Sequence, residues 1–68
     1  MLKNVKQILE KKKLNKLFQP SSWHVAMENG FETFYVVVKN LNSGEDKTVV
    51  LYPDENEITG LDHYIKEN

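Results

Sequence analysis

The feature that most constrains the fold is the dipeptide Asn29-Gly30, which separates two stretches rich in apolar, aromatic and β-branched residues. A type I′ turn requires positive φ at both of its central residues, and Asn-Gly meets that requirement better than most pairs. The dipeptide therefore predicts a β-hairpin with strands at about 22–28 and 31–41. In that register Trp23 lies opposite Val36.

A second turn extends the hairpin into a three-stranded antiparallel meander. Ser43-Gly44, alone or within a four-residue loop over 42–45, predicts this turn, and the third strand follows at about 46–52. Either turn sets Val36 opposite Leu51, with the second strand in the centre of the sheet.

Alternation along the three strands gives one face that is almost wholly apolar, with Glu32 as the exception. Its apolar members are Trp23, Val25, Met27, Phe34, Val36, Val38, Val49 and Leu51. We expect this face to form the core, covered by an N-terminal helix. Trp23 and Phe34 are accordingly predicted to be core residues.

The opposite face of the sheet is less polar than a solvated face usually is. It carries Ser22, His24, Ala26, Thr33, Tyr35, Val37, Lys39, Thr48, Val50 and Tyr52. Four of these form a compact apolar patch in the predicted register: Tyr35, Val37, Val50 and Tyr52. Contiguous apolar patches on small proteins tend to mark partner sites.

The N-terminal segment has the spacing of an amphipathic helix over about 2–13. Its apolar stripe consists of Leu2, Val5, Ile8 and Leu9. The next apolar residues fall on nearly the opposite side, at Leu14, Leu17 and Phe18. We therefore predict that the helix ends or kinks between 12 and 16, where consecutive lysines suit a helix C-terminus. A loop over 14–21 then leads into the sheet.

The C-terminal stretch predicts a short helical element at about 58–67. Apolar residues recur there at helical spacing, at Ile58, Leu61, Tyr64 and Ile65. Thr59 and Asp62 resemble a capping box, whereas Gly60 weakens the helix. Two alternatives stay open: this element covers the outer face, or the face is left to a partner. The whole chain, 1–68, is predicted to be a single α+β domain.

Composition narrows the class of protein. The absence of cysteine excludes a disulfide framework, a thiolate metal site and a cysteine nucleophile. Neither a signal-peptide core nor a run of about 20 apolar residues is present, which predicts a cytoplasmic protein with no membrane partner. The chain has nine lysines and no arginine. Together with the many asparagines this bias indicates an AT-rich genome, such as that of a low-GC bacterium or its phage; a phage protein would act in the host cytoplasm.

Residues that carry enzyme chemistry are sparse. His24 is predicted to lie on a strand opposite Tyr35, and His63 lies in the terminal element. The acidic run at 54–57 does not fit a calcium loop, because Ile58 stands where an oxygen ligand is needed. The glycines are isolated, which excludes a phosphate loop. We predict no enzyme activity, cofactor, metal or small-molecule substrate.

Charge is uneven along the chain. Residues 1–20 carry six lysines and one glutamate, whereas residues 45–68 carry seven acidic residues and two lysines. A basic cluster at the helix end consists of Lys11, Lys12, Lys13 and Lys16. Such a cluster can contact phosphates, but the chain has no arginine for bidentate recognition. The cluster is either a solvated helix end or a weak nucleic-acid site.

These patterns predict a small non-enzymatic protein-binding domain, such as an accessory or inhibitor protein of a phage or mobile element. It acts through the outer sheet face or by self-association, so the partner is another protein or a second copy in a homodimer. The predicted interface consists of His24, Tyr35, Val37, Val50 and Tyr52. The alternatives are a weak nucleic-acid-binding protein that uses the lysine cluster, and a purely structural subunit.

Overall fold

The computed structural model describes residues 1–64 of the chain. Within these residues one helix accompanies one four-stranded sheet: α1 (Leu2–Lys11), β1 (Phe18–Glu28), β2 (Phe31–Asn40), β3 (Asp46–Tyr52) and β4 (Glu57–Thr59). Two short 3-10 turns, Pro53–Glu55 and Asp62–Tyr64, flank β4. The predicted α+β class is confirmed. No helix in the described part of the chain is long and apolar enough to cross a bilayer.

The sheet contains four strands in the order β1-β2-β3-β4, where three were predicted. The additional strand, β4, pairs antiparallel with β3 and sets Ile58 opposite Leu51. The helical spacing from 58 onward is therefore misleading, because the chain reverses direction at Asn56 and completes a sheet. Asn56 has a φ of 53°, a left-handed conformation that asparagine tolerates better than most residues.

The first hairpin forms in the predicted register. Asn29 and Gly30 have φ values of 53° and 79°, as a type I′ turn requires. Trp23 pairs with Val36, as the turn position implies. This register was predictable because a two-residue turn determines it locally.

β1 begins at Phe18, before its predicted start at residue 22, and contains a β-bulge. The bulge lies between Pro20 and Ser22, and the Ser21 hydroxyl donates a hydrogen bond to the carbonyl oxygen of Val37 (3.1 Å). An extra residue reverses the alternation of side chains between faces. Phe18 consequently lies on the core side, where strict alternation from Ser22 places it on the other face.

The register between β2 and β3 differs from the prediction by two residues. Val36 faces Val49 rather than Leu51. The loop occupies 41–44 because the Asn40 side-chain oxygen accepts two backbone N–H groups of the loop, at 2.9 and 3.1 Å. A shift of two residues preserves the face on which each side chain lies, so the predicted division into two faces is retained.

The end of α1 explains the change in the apolar pattern after residue 13. The helix ends at Lys11, two residues before the predicted position, and Lys13 adopts a left-handed φ of 61°. The Leu14 N–H donates to the Leu9 carbonyl (2.8 Å) and the Lys13 N–H to the Glu10 carbonyl (3.1 Å). This pair of bonds is a Schellman motif, and it turns Leu14 into the same core as Leu9.

The core lies between α1 and one side of the sheet. Its buried residues are Val5, Ile8, Leu9, Leu14, Phe18, Val36, Val38, Val49, Leu51, Ile58 and Leu61. Tyr64 packs against this cluster, with its ring edge-on to that of Phe18 at 5.0 Å between centroids. Leu61 and Tyr64 therefore pack on the helix side. The predicted terminal helix is instead the end of β4 followed by a 3-10 turn over Asp62–Tyr64. Its remaining positions, 65–67, lie outside the described residues.

Trp23 lies on the core side of the sheet but is 45% exposed, so its prediction as a core residue is wrong. A helix of 10 residues spans about 15 Å, whereas a strand of 11 residues spans about 36 Å. α1 therefore covers the Phe18 end of β1 and leaves the turn end bare. Val25 and Met27, predicted for the same face, are exposed for the same reason.

Candidate functional site

The outer face, which is the side of the sheet opposite α1, is not covered by any element in residues 1–64. Tyr35 and Val50 pair directly across β2 and β3. Val37 lies two positions farther along β2, and Tyr52 lies two positions farther along β3 in the opposite direction. The four residues therefore form a diagonal band, which we call the outer band, and not the predicted compact patch. Tyr52 is 45% exposed, and the other three are half-buried.

His24 and Glu28, on β1, hold the Tyr35 side chain in position. The rings of His24 and Tyr35 stack with centroids 5.2 Å apart and planes inclined by 19°. The Tyr35 hydroxyl donates a hydrogen bond of 2.6 Å to Oε1 of Glu28. This hydrogen bond to Glu28 raises the pKa of Tyr35 above its usual value, so the hydroxyl remains protonated. The predicted site residues His24 and Tyr35 are thus neighbours on the outer face.

An acidic groove of about 410 Å³ opens beside Tyr52, where the end of β3 lies next to the start of β2. Three of the residues that line it are acidic: Glu32, Asp54 and Glu55. No lysine lines this groove. One end of the outer band therefore adjoins concentrated negative charge, which attracts cationic groups.

The lysine cluster at the end of α1 contains one lysine that contributes to the fold. Lys12 Nζ lies 2.6 Å from Oε1 of Glu57, joining the helix end to β4. The hydrogen bond from Lys12 lowers the pKa of Glu57 below its usual value. Lys11, Lys13 and Lys16 are exposed. The cluster thus presents three exposed lysines beside one that is ion-paired.

The histidines and carboxylates of residues 1–64 form no group of three or more that could hold a metal ion. His24 stacks on Tyr35, and the His63 ring lies 4.0 Å from that of Tyr64 between centroids. The outer face offers aromatic rings, hydroxyl groups and carboxylates, which are groups suited to recognition.

Phe31 is a residue of the outer face that the sequence reasoning missed. It directly follows the turn, pairs with Glu28 and is 75% exposed. Alternation from Tyr35 along β2 places it on the outer face, so the signal was present in the sequence. Phe31 extends the apolar surface toward the end of the hairpin.

Comparison with known proteins identifies no relative. No family model matches the chain, and no curated protein or solved structure has a significant match to it. The case for a function therefore rests on the surfaces described above.

Proposed function

We propose that this chain is a non-enzymatic protein-binding domain that receives a partner protein on its outer face. The observation that carries the proposal is the outer band, an apolar and aromatic surface that residues 1–64 leave uncovered. Tyrosine combines a large contact area with a polar tip, and contiguous apolar surface on a small protein often marks a partner site.

The fixed position of Tyr35 supports this proposal. Its ring stacks on His24 and its hydroxyl is bonded to Glu28, so the side chain is ordered before a partner arrives. Ordering a side chain on association costs about 0.5–1.5 kcal/mol. Part of that cost is already met in the unbound domain, which favours binding.

The charge around the outer band indicates the chemistry of the partner. Glu32, Asp54 and Glu55 surround the groove beside Tyr52, and Glu28 lies at the hairpin end. Complementary charge speeds encounter and selects among partners. We propose a partner surface that presents an apolar side chain flanked by lysine or arginine. The biological role we propose is that of an accessory or inhibitor protein of a phage or mobile element. The absence of arginine and the many lysines and asparagines support this role.

The test compares capture of partners by the wild type and by a Tyr35→Ser, Tyr52→Ser double variant, with identification by mass spectrometry. A partner of the wild type is expected to be lost from the double variant, which keeps its circular dichroism spectrum. Leu41→Ser is the control, because Leu41 is 46% exposed, close to the 45% of Tyr52, but lies in the β2–β3 loop. Equal capture by the double variant and the wild type overturns the proposal.

The charge of the partner is tested with the captured protein in purified form. An Asp54→Asn, Glu55→Gln variant is expected to bind it more weakly and with a smaller dependence on salt. Glu45→Gln, an exposed acidic position outside the groove, is the control. Unchanged salt dependence in the groove variant contradicts a basic partner surface.

Weak nucleic-acid binding is the second candidate function. It is supported by the exposure of Lys11, Lys13 and Lys16 at the end of α1. Lys12 is engaged with Glu57, and the absence of arginine removes bidentate phosphate contacts. For these reasons we rank it below protein binding.

A further inference from the structure

The two edges of the sheet differ in length and protection. β4 has three residues, and its Glu57 is tied to the end of α1 through Lys12. β1 has 11 residues and, within residues 1–64, pairs with β2 alone. A long unpaired edge presents a row of backbone N–H and C=O groups to which another strand can bond. We call this edge of β1 the open edge.

The hairpin turn determines which backbone groups of β1 point toward the open edge. Glu28 and Phe31 flank a two-residue turn, so they exchange backbone hydrogen bonds with each other. Such pairs alternate with non-bonded pairs along an antiparallel ladder, and the register is regular from the turn to the bulge. The N–H and C=O groups of Trp23, Val25 and Met27 therefore point away from β2.

The side chains of these same three residues form an exposed apolar row on the α1 side. Trp23, Val25 and Met27 are 45%, 42% and 68% exposed. Natural edge strands are usually protected by lysines or other charges, yet residues 18–27 contain no lysine, aspartate or glutamate. A proline and the bulge interrupt the strand at its base, which confines the unprotected segment to residues 22–28.

We propose that a second copy of this chain pairs with the open edge, so that two β1 strands run antiparallel about a twofold axis at Val25. Val25 bonds to Val25 of the partner subunit through both backbone groups. Trp23 bonds in the same way to Met27 of the partner subunit, and Met27 to the partner's Trp23. About six backbone hydrogen bonds form, and the two sheets become one continuous antiparallel sheet.

A second copy fits this edge because the register is self-complementary. Residues opposite each other in an antiparallel ladder share a face, so Trp23 meets the partner's Met27 on the α1 side. A methionine sulfur beside an aromatic ring is a favourable contact. Glu28 faces the partner's Ser22, so the one carboxylate of the segment meets no like charge.

This pairing goes beyond the function proposed above and uses a different surface. The dimer contacts come from the open edge and the α1 side of β1, whereas Tyr35, Val50 and Tyr52 lie on the outer face of β2 and β3. The Tyr35→Ser, Tyr52→Ser variant is therefore expected to dimerise like the wild type. Failure of either proposal leaves the other intact.

Amide hydrogen exchange, resolved by residue with NMR, tests the pairing without a substitution. β2 protects the amides of His24 and Ala26 whether or not a partner is present. The amides of Trp23, Val25 and Met27 point to solvent in a single copy. Slow exchange at these three that accelerates on dilution is expected, and fast exchange at all three at high protein concentration overturns the proposal.

A charge at the twofold axis provides the second test. Val25→Lys places two like charges next to each other in the dimer, whereas in a single copy this lysine points to solvent. Leu41→Lys is the control, with 46% exposure against 42% for Val25. Sedimentation equilibrium is expected to give a dimer for the wild type and the control, and a folded monomer for Val25→Lys. A monomeric wild type, or a dimer that survives Val25→Lys, overturns the proposal.

The register is tested by NMR on a mixture of labelled and unlabelled protein. In the proposed register His24 and the partner's Ala26 form a non-bonded pair, which brings their backbones closest together. An intermolecular contact between the Hα atoms of His24 and Ala26 is expected. Intermolecular contacts between other residues of β1 contradict the axis at Val25.

Discussion

Two aromatic residues on the core side of the sheet, Phe18 and Trp23, differ strongly in burial. Phe18 is 1% exposed and contacts the Tyr64 ring, whereas Trp23 is 45% exposed. Phe18→Ala is expected to lower the free energy of unfolding by about 3–5 kcal/mol, as removal of a buried aromatic ring does. Trp23→Ala is expected to lower it by only about 1–2 kcal/mol, because nearly half of the Trp23 surface is already exposed in the folded protein.

Equilibrium denaturation measures both losses, at a protein concentration low enough to dissociate the proposed dimer. A larger loss for Trp23→Ala than for Phe18→Ala contradicts the placement of the core at the Phe18 end of β1.

Lys13 occupies a backbone conformation that favours glycine. Its φ of 61° lies in the left-handed region, which costs a residue with a Cβ roughly 1–2 kcal/mol. Lys13→Gly is therefore expected to raise the free energy of unfolding by about 1 kcal/mol, since glycine is the usual residue at this position of a Schellman motif. Lys11→Gly, in the last turn of α1, is the control and is expected to lower it by a similar amount. A loss of stability in both variants contradicts the left-handed turn at Lys13.

The ion pair between Lys12 at the end of α1 and Glu57 on β4 makes the stability of the domain depend on acidic pH. The Glu57 pKa is lowered from its usual 4.5 by Lys12, so the ion pair between α1 and β4 contributes fully above pH 4.5. This contribution is lost as the pH falls through the lower pKa of the folded state. Lys12→Gln is expected to raise the Glu57 pKa toward 4.5.

Carboxyl NMR titration of Glu57 measures this change. Lys11→Gln is the control, because Lys11 makes only a small contribution to the lowered pKa. Equal shifts in the two variants show that the hydrogen bond from Lys12 is not the main cause.

Elements whose geometry is set locally could be predicted from the sequence. Asn29-Gly30 gives the register of the first hairpin because the turn itself requires those two residues. The second register depends on the Asn40 side chain, which accepts hydrogen bonds from the loop and moves the turn. The start of β1 depends on the bulge at Ser21, for which the sequence carries no comparable local signal. β4 has only three residues, which is too short for a recognisable strand pattern. It forms because it pairs with β3.

The candidate site was predictable to the same extent. Residues of the outer band are found by alternation, which a two-residue register shift does not alter. Their diagonal arrangement and the groove beside Tyr52 depend on where β3 pairs and ends. Whether the face is covered depends on Leu61 and Tyr64, which pack on the helix side through contacts distant in sequence.

At the scale of the whole molecule, the concentration of lysines near the N-terminus allows nucleic-acid binding to be tested directly. The suitable variant replaces Lys11, Lys13 and Lys16 with Gln and leaves Lys12, because Lys12 also joins α1 to β4. We expect no retardation of duplex DNA by the wild type at low salt, even at high micromolar protein. Two results together favour nucleic-acid binding over protein binding. The wild type retards DNA, and its salt dependence becomes weaker in the variant, by about 0.9 in slope for each phosphate no longer neutralised.

The unequal edges of the sheet also limit how far an assembly can grow. Strand addition to a sheet with two open edges continues from copy to copy and ends in a fibre. In the proposed dimer each copy contributes its single β1 to the twofold pairing, and the rims of the joined sheet are the two β4 strands. Each rim is three residues long and carries the Lys12–Glu57 ion pair. The proposed pairing therefore predicts that growth stops at two copies and that the protein forms a discrete particle at concentrations that drive a sheet with two open edges into filaments.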